Sequence, residues 1–303
     1  MSVPTVITEW SDPPFSHPPL APATGPFPQR PFLETWWRHE SGEDELAIIA
    51  TDTAALPLRL SEGRVLFCGD ADLTDYHNPL GDPHHAIEAA ASRFIGSDYS
   101  FDSLPESAAA PLHAALDAGG HRHAVTRDAV TAVLELPSDT DAWLAGLGKR
   151  DRHELRRKRR RFGDTLGEAH LERRSDPAAV NLFAEMHRSA GGVKGGFMNQ
   201  KREDFFSDLV ASARATVDVL STKHGPVAAA FAFAEPDGYY LYNSAYASDA
   251  ASASPGIVLL MTLIETLIAE GVPRLDLLKG AEPYKLRLGA VLRPLYRIEG
   301  TFS

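Results

Sequence analysis

A long segment near the C-terminal end of the chain is apolar on nearly every side. It begins at Ser254-Pro255-Gly256, ends at Gly271, and predicts a helix of about 16 residues. A helix that is apolar all round has to be buried, and the strand-like runs on either side of it indicate that it packs on a sheet. Its apolar positions are Ile257, Leu260, Met261, Ile264, Leu267 and Ile268.

Strands and helices alternate around this segment. EAHLERR predicts a strand, and DPAAVNLFAEMHRSA predicts a helix with Asp176 as N-cap and Pro177 at its first position. A second helix, REDFFSDLVASA, leads to three apolar runs joined by turn sequences: ATVDVLST, PVAAAFAFAE and YYLYNSAY. After the apolar helix come a strand (RLDLL), a short helix near EPYKLRLG and a last strand (RPLYRIEG). The predicted order is β-α-α-β-β-β-α-β-α-β, which indicates an α/β fold with mixed sheets.

In the first half of the chain, the sequence patterns predict an extended arm followed by short helices and strands. Residues 1–31 hold nine prolines and little periodicity, so residues 1–26 are expected to form an extended arm. PFLETWWRHE and HHAIEAAASRFI predict helices, while LAIIAT, ALPLRL, RVLFCG and HRHAVTRDAVTAVLEL predict strands. With 303 residues, two domains are expected.

Composition excludes several classes of protein. The hydrophobic fraction is 44%, which is ordinary for a globular protein, and no apolar run approaches the ~20 residues of a membrane span. Cys68 is the single cysteine, so no intrachain disulfide can form. With no signal-like N-terminus, a cytoplasmic location is expected.

A basic run stands out in an acidic chain. The net charge is −11, yet residues 149–161, KRDRHELRRKRRR, hold nine basic and two acidic residues. Arg152, Arg156 and Arg159 or Arg160 fall on one helix face, where arginine forks could hold phosphate or carboxylate. Two other interpretations are a solvated helix, with Glu154 and Lys158 as an internal pair, and, with less support, a nucleic-acid contact.

The start of the apolar helix is a candidate anion site. Ser254 suits the N-cap and Pro255 the first position, while Gly256 lets a ligand approach the backbone. A plain strand-to-helix connection explains the same residues. The chain lacks both G-x-x-x-x-G-K-[ST] and a G-x-G-x-x-G after a strand, which disfavours P-loop and Rossmann sites.

Four segments carry a family resemblance. These are PFLETWWRHE, LTDYHNPLG, KRDRHELRRKRRR, and SPGIVLL with LDLLKGAEPYKLRLGA. Through them the chain resembles the CelD-like branch of the GNAT acyltransferases, with a two-half plan similar to that of the Fem-type aminoacyltransferases. The resemblance implies two GNAT-like domains in tandem, a degenerate one at 27–137 and one at 164–303 that retains the acyl-CoA turn, joined by a basic connecting helix at 138–163.

The resemblance implies acetyl-CoA or another acyl-CoA as co-substrate. It places the cofactor turn at Ser252, Ser254, Gly256, Ile257 and Val258. The usual GNAT turn reads Gln/Arg-x-x-Gly-x-Gly/Ala, and only Gly256 fits it.

Catalytic candidates follow the strand RLDLL. Lys285 would stabilise the oxyanion, as a lysine in a similar Tyr/Phe-Lys setting is thought to do in the Fem-type enzymes, and Tyr284 would donate to the leaving thiolate. Asp276 alternates with the apolar residues of its strand and is expected to face the cleft as the base or as its orienting partner. For each residue, an ordinary structural role is the alternative.

Acceptor-binding candidates come from several segments. They are Asp75, Tyr76, His77, Arg152, Arg156, Lys194 and Phe197. Within this set, His77 could be the base, and Lys194 belongs to a glycine-rich loop, GGVKGGF, that is expected to act as a lid. No metal is expected, because His84, His85, His121 and His123 lack a completing Cys or carboxylate spacing.

These observations predict an acyl-CoA-dependent N-acyltransferase acting on a small, anionic amine acceptor bound between the two domains. One alternative is a Fem-type transferase that uses aminoacyl-tRNA. The other is a non-catalytic GNAT scaffold that binds a partner through its basic helix.

Overall fold

The computed structural model of the protein describes residues 4–11, 24–190 and 192–303. Most of the predicted Pro-rich arm, residues 1–3 and 12–23, therefore lies outside the described residues. No helix in the described part of the chain is both long enough and apolar enough to cross a membrane.

The helices are α1 (Arg30–Glu40), α2 (His84–Arg93), α3 (Glu106–Ala118), α4 (Thr140–Gly146), α5 (Lys149–Leu166), α6 (Pro177–Ser189), α7 (Gly192–Phe197), α8 (Gln200–Ser212), α9 (Pro255–Ala269) and α10 (Pro283–Arg287), with a 3₁₀ turn at Ser248–Ala253. The strands are β1 (Thr5–Ile7), β2 (Glu45–Leu46), β3 (Ile48–Ala50), β4 (Ala54–Leu56), β5 (Leu58–Ser61), β6 (Arg64–Phe67), β7 (Leu80–Gly81), β8 (Asp98–Pro105), β9 (His123–Glu135), β10 (His170–Arg174), β11 (Ala215–Thr222), β12 (Gly225–Glu235), β13 (Gly238–Tyr246), β14 (Arg274–Lys279) and β15 (Val291–Thr301).

The chain divides into two compact units. Unit 1 comprises Met1–Val130 and Arg293–Ser303, and unit 2 comprises Thr131–Leu292. These bounds differ from the predicted domains: the basic helix α5 belongs to unit 2, and the last eleven residues return to unit 1. The reason is that the end of β15 pairs with β8, for example Ile298 with Phe101.

Unit 2 is built on one mixed sheet. Its strand order is β10-β11-β12-β13-β14, followed by the end of β9. The pairs are antiparallel except for β13 with β14, which run parallel. Along the chain, the elements from β10 to β15 follow the predicted order except for the added helix α7, and the predicted mixed α/β class is confirmed.

The two faces of this sheet bury different side chains. Ala228, Ala230 and Ala232 of β12 belong to one core with α9 and α5, and their small size lets the apolar helix approach closely. The alternate residue Phe231 packs on the other face against Phe183 of α6 and Phe206 of α8. Burial of α9 is confirmed: Ile264 and Leu267 are fully buried.

Unit 1 contains two small sheets. One has the order β15-β8-β6-β5-β2, with β15 represented by its end, and the other has the order β1-β3-β4-β7. Helices α2 and α3 contribute Ile87 and Leu112 to a core that also holds Tyr99 and Phe302. Sequence reasoning missed both β8 and α3, and the predicted glycine-rich loop at 191–197 is instead the short helix α7 from Gly192 onward.

Candidate functional site

Strands β13 and β14 of unit 2 separate shortly after they begin. They pair at Tyr239↔Leu275 and Tyr240↔Asp276, and within the described chain no pairing between them follows. Beyond that point, Tyr242 is an extra residue in the pairing of β13 with β12. Such a bulge bends a strand and re-aims its side chains. The remainder of β13 is therefore open along the edge that faces β14.

The second strand is also distorted at this level. The pairing of β14 with β9 shifts between Asp276 and Lys279, and Leu278 adopts a left-handed backbone with φ of 59°. This conformation is costly for a branched residue, so the local structure must impose it. Asp276 does so, because its Oδ1 accepts a hydrogen bond of 2.8 Å from the Leu278 amide.

Helix α9 begins directly after β13 and the 3₁₀ turn. Ser254, which precedes it, is also left-handed, at φ 59° and ψ 48°. The amides of Ile257 and Val258 donate to the Ser254 carbonyl at 3.1 and 3.3 Å, and Pro255 has no N–H. Of the first-turn amides in this described segment, the one that the Ser254 carbonyl does not engage is that of Gly256. Among the residues of the predicted cofactor turn, Ile257 and Val258 therefore have amides that are already engaged within the helix.

Gly256 lies against an aromatic ring. A Cβ added to it would be 3.3 Å from Cδ1 of Tyr246, whose side chain is partly exposed at the end of β13. A larger residue would push that ring aside. Glycine therefore keeps the entry of α9 close to the open edge of β13.

The basic helix α5 supplies a cation at this entry. Lys158 Nζ donates to Ser254 Oγ at 3.2 Å. Arg159 anchors α5 to α9 through a bidentate ion pair, in which Nη1 and Nη2 donate to the two carboxylate oxygens of Glu265 at 2.6 and 2.9 Å. The sequence already held a signal for Lys158, because it lies on the face of the buried Leu155 and Phe162. A positive charge beside a helix N-terminus favours an anion.

A cavity of ≈ 460 Å³ opens at the other end of α5. Its lining consists of Arg150, Asp151, His153, Glu154, Arg157 and Arg287. Arg157 holds Glu154 through two hydrogen bonds of 2.8 Å, and these lower the pKa of that carboxyl. Because Arg157 neutralises the charge of Glu154, the remaining charged side chains of the lining are Arg150, Arg287 and Asp151. The cavity therefore carries an excess of positive charge.

The predicted anion-binding arginines lie elsewhere. Arg152 Nη1 donates to the carbonyls of Leu144 and Ala145 at 3.0 and 3.3 Å, so it closes the end of α4. Arg156 is exposed and does not line the cavity. The helix turns the stripe Arg150–His153–Arg157 toward the cavity, because Leu155 and Phe162 fix which face is buried.

Lys285 is buried rather than open to a cleft. Its side chain is 3% exposed, and Nζ donates to the carbonyls of Leu278, Lys279 and Gly280 at 3.3, 2.5 and 3.4 Å. Glu282 Oε2 lies 3.0 Å away. These partners saturate the ammonium group, so Lys285 fastens the turn after β14. An oxyanion could be reached only if one of them were released.

Tyr284 and Asp276 have different surroundings. Tyr284 is partly buried, which raises the pKa of its phenol to about 12, so the hydroxyl stays protonated at neutral pH. Asp276 is fully buried and braces Leu278. Asp276 was expected to face a cleft, but its carboxylate is buried and holds the backbone of Leu278 in the left-handed conformation.

A buried histidine that the sequence analysis did not select lies beside the open part of β13. His187 of α6 is 2% exposed, and its Nε2 is 3.2 Å from Oδ1 of Asn243. Phe197, a predicted acceptor contact, packs on it with ring centroids 5.6 Å apart. The signal was in the sequence, because His187 falls on the apolar face of α6 with Val180 and Phe183. The side chain of Lys194, like residue 191, lies outside the described residues.

Asp75, Tyr76 and His77 belong to unit 1. His77 is buried, its Nδ1 is 2.8 Å from Asp102 Oδ1, and its ring stacks on Phe67. Tyr76 is buried beside Phe27. His77 thus forms a buried pair with Asp102 within unit 1.

Comparisons with known proteins agree with this architecture. Residues 149–286 match the family model described as an acetyltransferase (GNAT) domain. No curated protein matches the chain significantly.

Solved structures share the fold at low sequence identity. A conserved protein of unknown function from Bacteroides thetaiotaomicron VPI-5482 has a TM-score of 0.64 at 12% identity, covering 91% of this chain and 92% of its own. FemX has a TM-score of 0.59 at 12% identity, with 88% and 91% covered. The C-terminal domain (DUF2156) of a putative lysylphosphatidylglycerol synthetase from Agrobacterium fabrum has a TM-score of 0.58 at 13% identity, with 88% and 91% covered. At this identity the likeness concerns the fold. Residues 149–286 are thus similar to an acetyltransferase (GNAT) domain, and the chain shares its fold with FemX.

Proposed function

We propose that the protein is an acyl-CoA-dependent N-acyltransferase that acylates the amine of a small anionic acceptor. The observation that carries the proposal is the separation of β13 from β14 beside the entry of α9, where Lys158 adds a positive charge. An opening between parallel strands admits an extended thioester arm, and a cationic helix N-terminus suits its diphosphate.

The residues at the entry fit a diphosphate group. The Gly256 amide and the Lys158 ammonium are the two donors near the start of α9 that we assign to it. A short turn without bulky side chains lets phosphate oxygens come close to the backbone. The absence of the usual GNAT turn sequence is thus offset by a lysine from a neighbouring helix.

The chemistry requires a C–N bond to form and the thioester C–S bond to break. The amine loses a proton, and the departing thiolate gains one. Tyr284 suits the second task, because its raised pKa of about 12 keeps the phenol protonated. We assign His187 to the acceptor side, since its ring lies beside the open part of β13, with Nε2 3.2 Å from Asn243 Oδ1.

The acceptor is proposed to place its anionic group in the cavity lined by Arg150 and Arg287. Arginine binds carboxylate and phosphate through paired hydrogen bonds, which fixes the direction of the amine. Membership of the CelD-like branch stays a prediction.

An activity assay tests the proposal. Release of free thiol from acetyl-CoA is measured with amines that carry a carboxylate or a phosphate, and with neutral amines of equal length. Turnover should depend on the anionic group. Arg287→Ala should raise the acceptor KM about tenfold or more, since hydrogen bonds to charged groups contribute about 1.5–3 kcal/mol. Arg161→Ala, an exposed residue of the same helix outside the cavity, is the control.

The second candidate is an aminoacyl-tRNA-dependent transferase. It is favoured by the fold shared with FemX and by the cationic cavity on α5. Transfer from charged tRNA, with salt-sensitive binding and no turnover of any CoA ester, would replace the first proposal.

A further inference from the structure

Three potential metal ligands converge in unit 1. His113 and Asp117 lie four residues apart on α3, and His123 begins β9. Their ligand atoms all lie within 4.8 Å of one another. His113 Nδ1 is 2.5 Å from His123 Nε2, and Asp117 carboxylate oxygens lie 3.5 Å from His113 Nε2 and 3.8 Å from His123 Nε2.

The hydrogen bonding of His123 prepares it as a ligand. Its Nδ1 donates to the His121 carbonyl at 2.8 Å, which leaves the lone pair of Nε2 directed at the cluster. Metal-bound histidines typically donate their second ring nitrogen in this way, because the bond fixes the tautomer and the ring orientation. The side chain of His123 is 3% exposed, so this geometry is held by the protein.

The contact between the two rings also needs an explanation. Two imidazole nitrogens at 2.5 Å repel each other unless they share a proton, which a metal ion would replace as the nitrogens move apart to allow metal–nitrogen bonds of about 2.0–2.1 Å. The adjacent Asp117 carboxylate supplies negative charge that favours a cation.

We propose that His113, Asp117 and His123 form a binding site for a divalent first-row transition metal of the Zn²⁺ type. Two imidazoles and a carboxylate suit zinc better than calcium or magnesium, which prefer oxygen ligands. Three protein ligands leave a fourth position for water or an external donor. His113 and Asp117 are about half exposed or more, so the site is open to solvent.

The metal would fasten the end of α3 to the start of β9. These elements are joined by a turn that contains Gly119 and Gly120, the second with φ of 74°. Sequence reasoning expected no metal, because it considered His121 and His123 without the helix that precedes them. His121 itself packs against Phe302 and is outside the cluster.

Zinc binding to the full-length, untagged protein tests this proposal. After treatment with a chelator, the protein is incubated with Zn²⁺, separated from excess metal and analysed for bound zinc. A parallel titration with Co²⁺ follows the visible absorption that reports the coordination geometry. We expect one equivalent of zinc and a cobalt spectrum typical of four-coordinate nitrogen and oxygen ligation.

Variants assign the site. His113→Ala and Asp117→Asn should each weaken zinc binding at least tenfold, because each removes a ligand while leaving the exposed surface folded. His85→Ala is the matched control, since His85 is an exposed histidine of unit 1 that pairs with Glu88. Circular dichroism checks that each variant is folded. A wild-type protein that retains no zinc, or a His113→Ala/Asp117→Asn double variant that binds it as tightly as the wild type, would overturn the proposal.

Discussion

Among single residues, Lys158 of α5 places its positive charge at the start of α9, where we propose that the acyl donor binds. Its ammonium group reaches Ser254 Oγ at 3.2 Å from α5, while Glu154 is 4.0 Å away. A weakly matched cation at a helix N-terminus is available to an anionic ligand.

Replacing Lys158 with Met should therefore weaken the binding of acetyl-CoA about tenfold, because one charge-assisted hydrogen bond is lost. Calorimetric titration measures the change. Lys149→Met is the control, as Lys149 is an exposed lysine of the same helix. Equal affinities of the two variants would show that Lys158 does not contact the donor.

For Lys285, the sequence alone suggests that removal lowers kcat with little loss of stability. The structure changes this expectation, because the ammonium group is buried and donates to three carbonyls. Lys285→Met should lower the free energy of unfolding by about 2–4 kcal/mol, since the buried acceptors lose their donor. Chemical denaturation measures it, and Leu286→Met, at an exposed neighbour, should change little. A stable but inactive Lys285→Met variant would support the catalytic role instead.

At the level of helices and strands, apolar periodicity predicts the elements whose sequence pattern is strongest. The apolar helix α9 and the three strands before it follow from apolar spacing and turn residues. Helix α3 escaped prediction because Pro111 lies inside it and alanines dominate its buried face. Helix α7 escaped prediction because three of its six residues are glycines, which are typical of a loop. An added Cβ at Gly195 would come within 2.7 Å of the Arg188 carbonyl oxygen.

The site was predicted less completely than the fold. The position of the helix entry is visible in Ser254-Pro255-Gly256, but the contact of Lys158 depends on how α5 packs against α9. The face of α5 toward the cavity depends in turn on the burial of Leu155 and Phe162. Such contacts between elements distant in sequence are set by tertiary packing, which helical spacing alone does not specify.

The left-handed conformation of Ser254 suggests a second variant at the same entry. A non-glycine residue at φ 59° is strained by roughly 1 kcal/mol. Ser254→Gly should leave the melting temperature unchanged or higher, while acetyl-CoA binding weakens because Lys158 loses its hydroxyl partner. Differential scanning calorimetry and a binding titration separate the two effects. Ser248→Gly, at an exposed position of the same 3₁₀ turn, is the comparison, and a clear loss of stability in Ser254→Gly alone would contradict this expectation.

At the scale of the whole molecule, unit 1 depends on two distant parts of the chain. Phe302 is 1% exposed, and its ring centroid lies 4.5 Å from that of Tyr99. Its backbone also bonds to Gly96 and Ser97. The last residues of the chain therefore complete the core of unit 1, which is formed mainly by residues from the first half of the sequence. Local sequence patterns do not predict this contact.

Phe302→Ala should accordingly destabilise the protein by about 3–5 kcal/mol, the usual cost of removing a buried phenylalanine side chain. Val291→Ala, which truncates an exposed residue of β15, the strand that ends just before Phe302, should cost far less. Thermal unfolding compares the two variants. Similar melting temperatures would mean that the C-terminal residues do not belong to the core of unit 1.

The acyl donor is proposed to bind at the opening between β13 and β14, at the entry of α9, and the roles proposed for the other residues depend on this position. Hydrogen–deuterium exchange of the full-length protein with and without acetyl-CoA tests it directly. We expect slower exchange in peptides that cover residues 241–258 and 276–282, with the other peptides little changed. No binding, or protection confined to other parts of the chain, would contradict it.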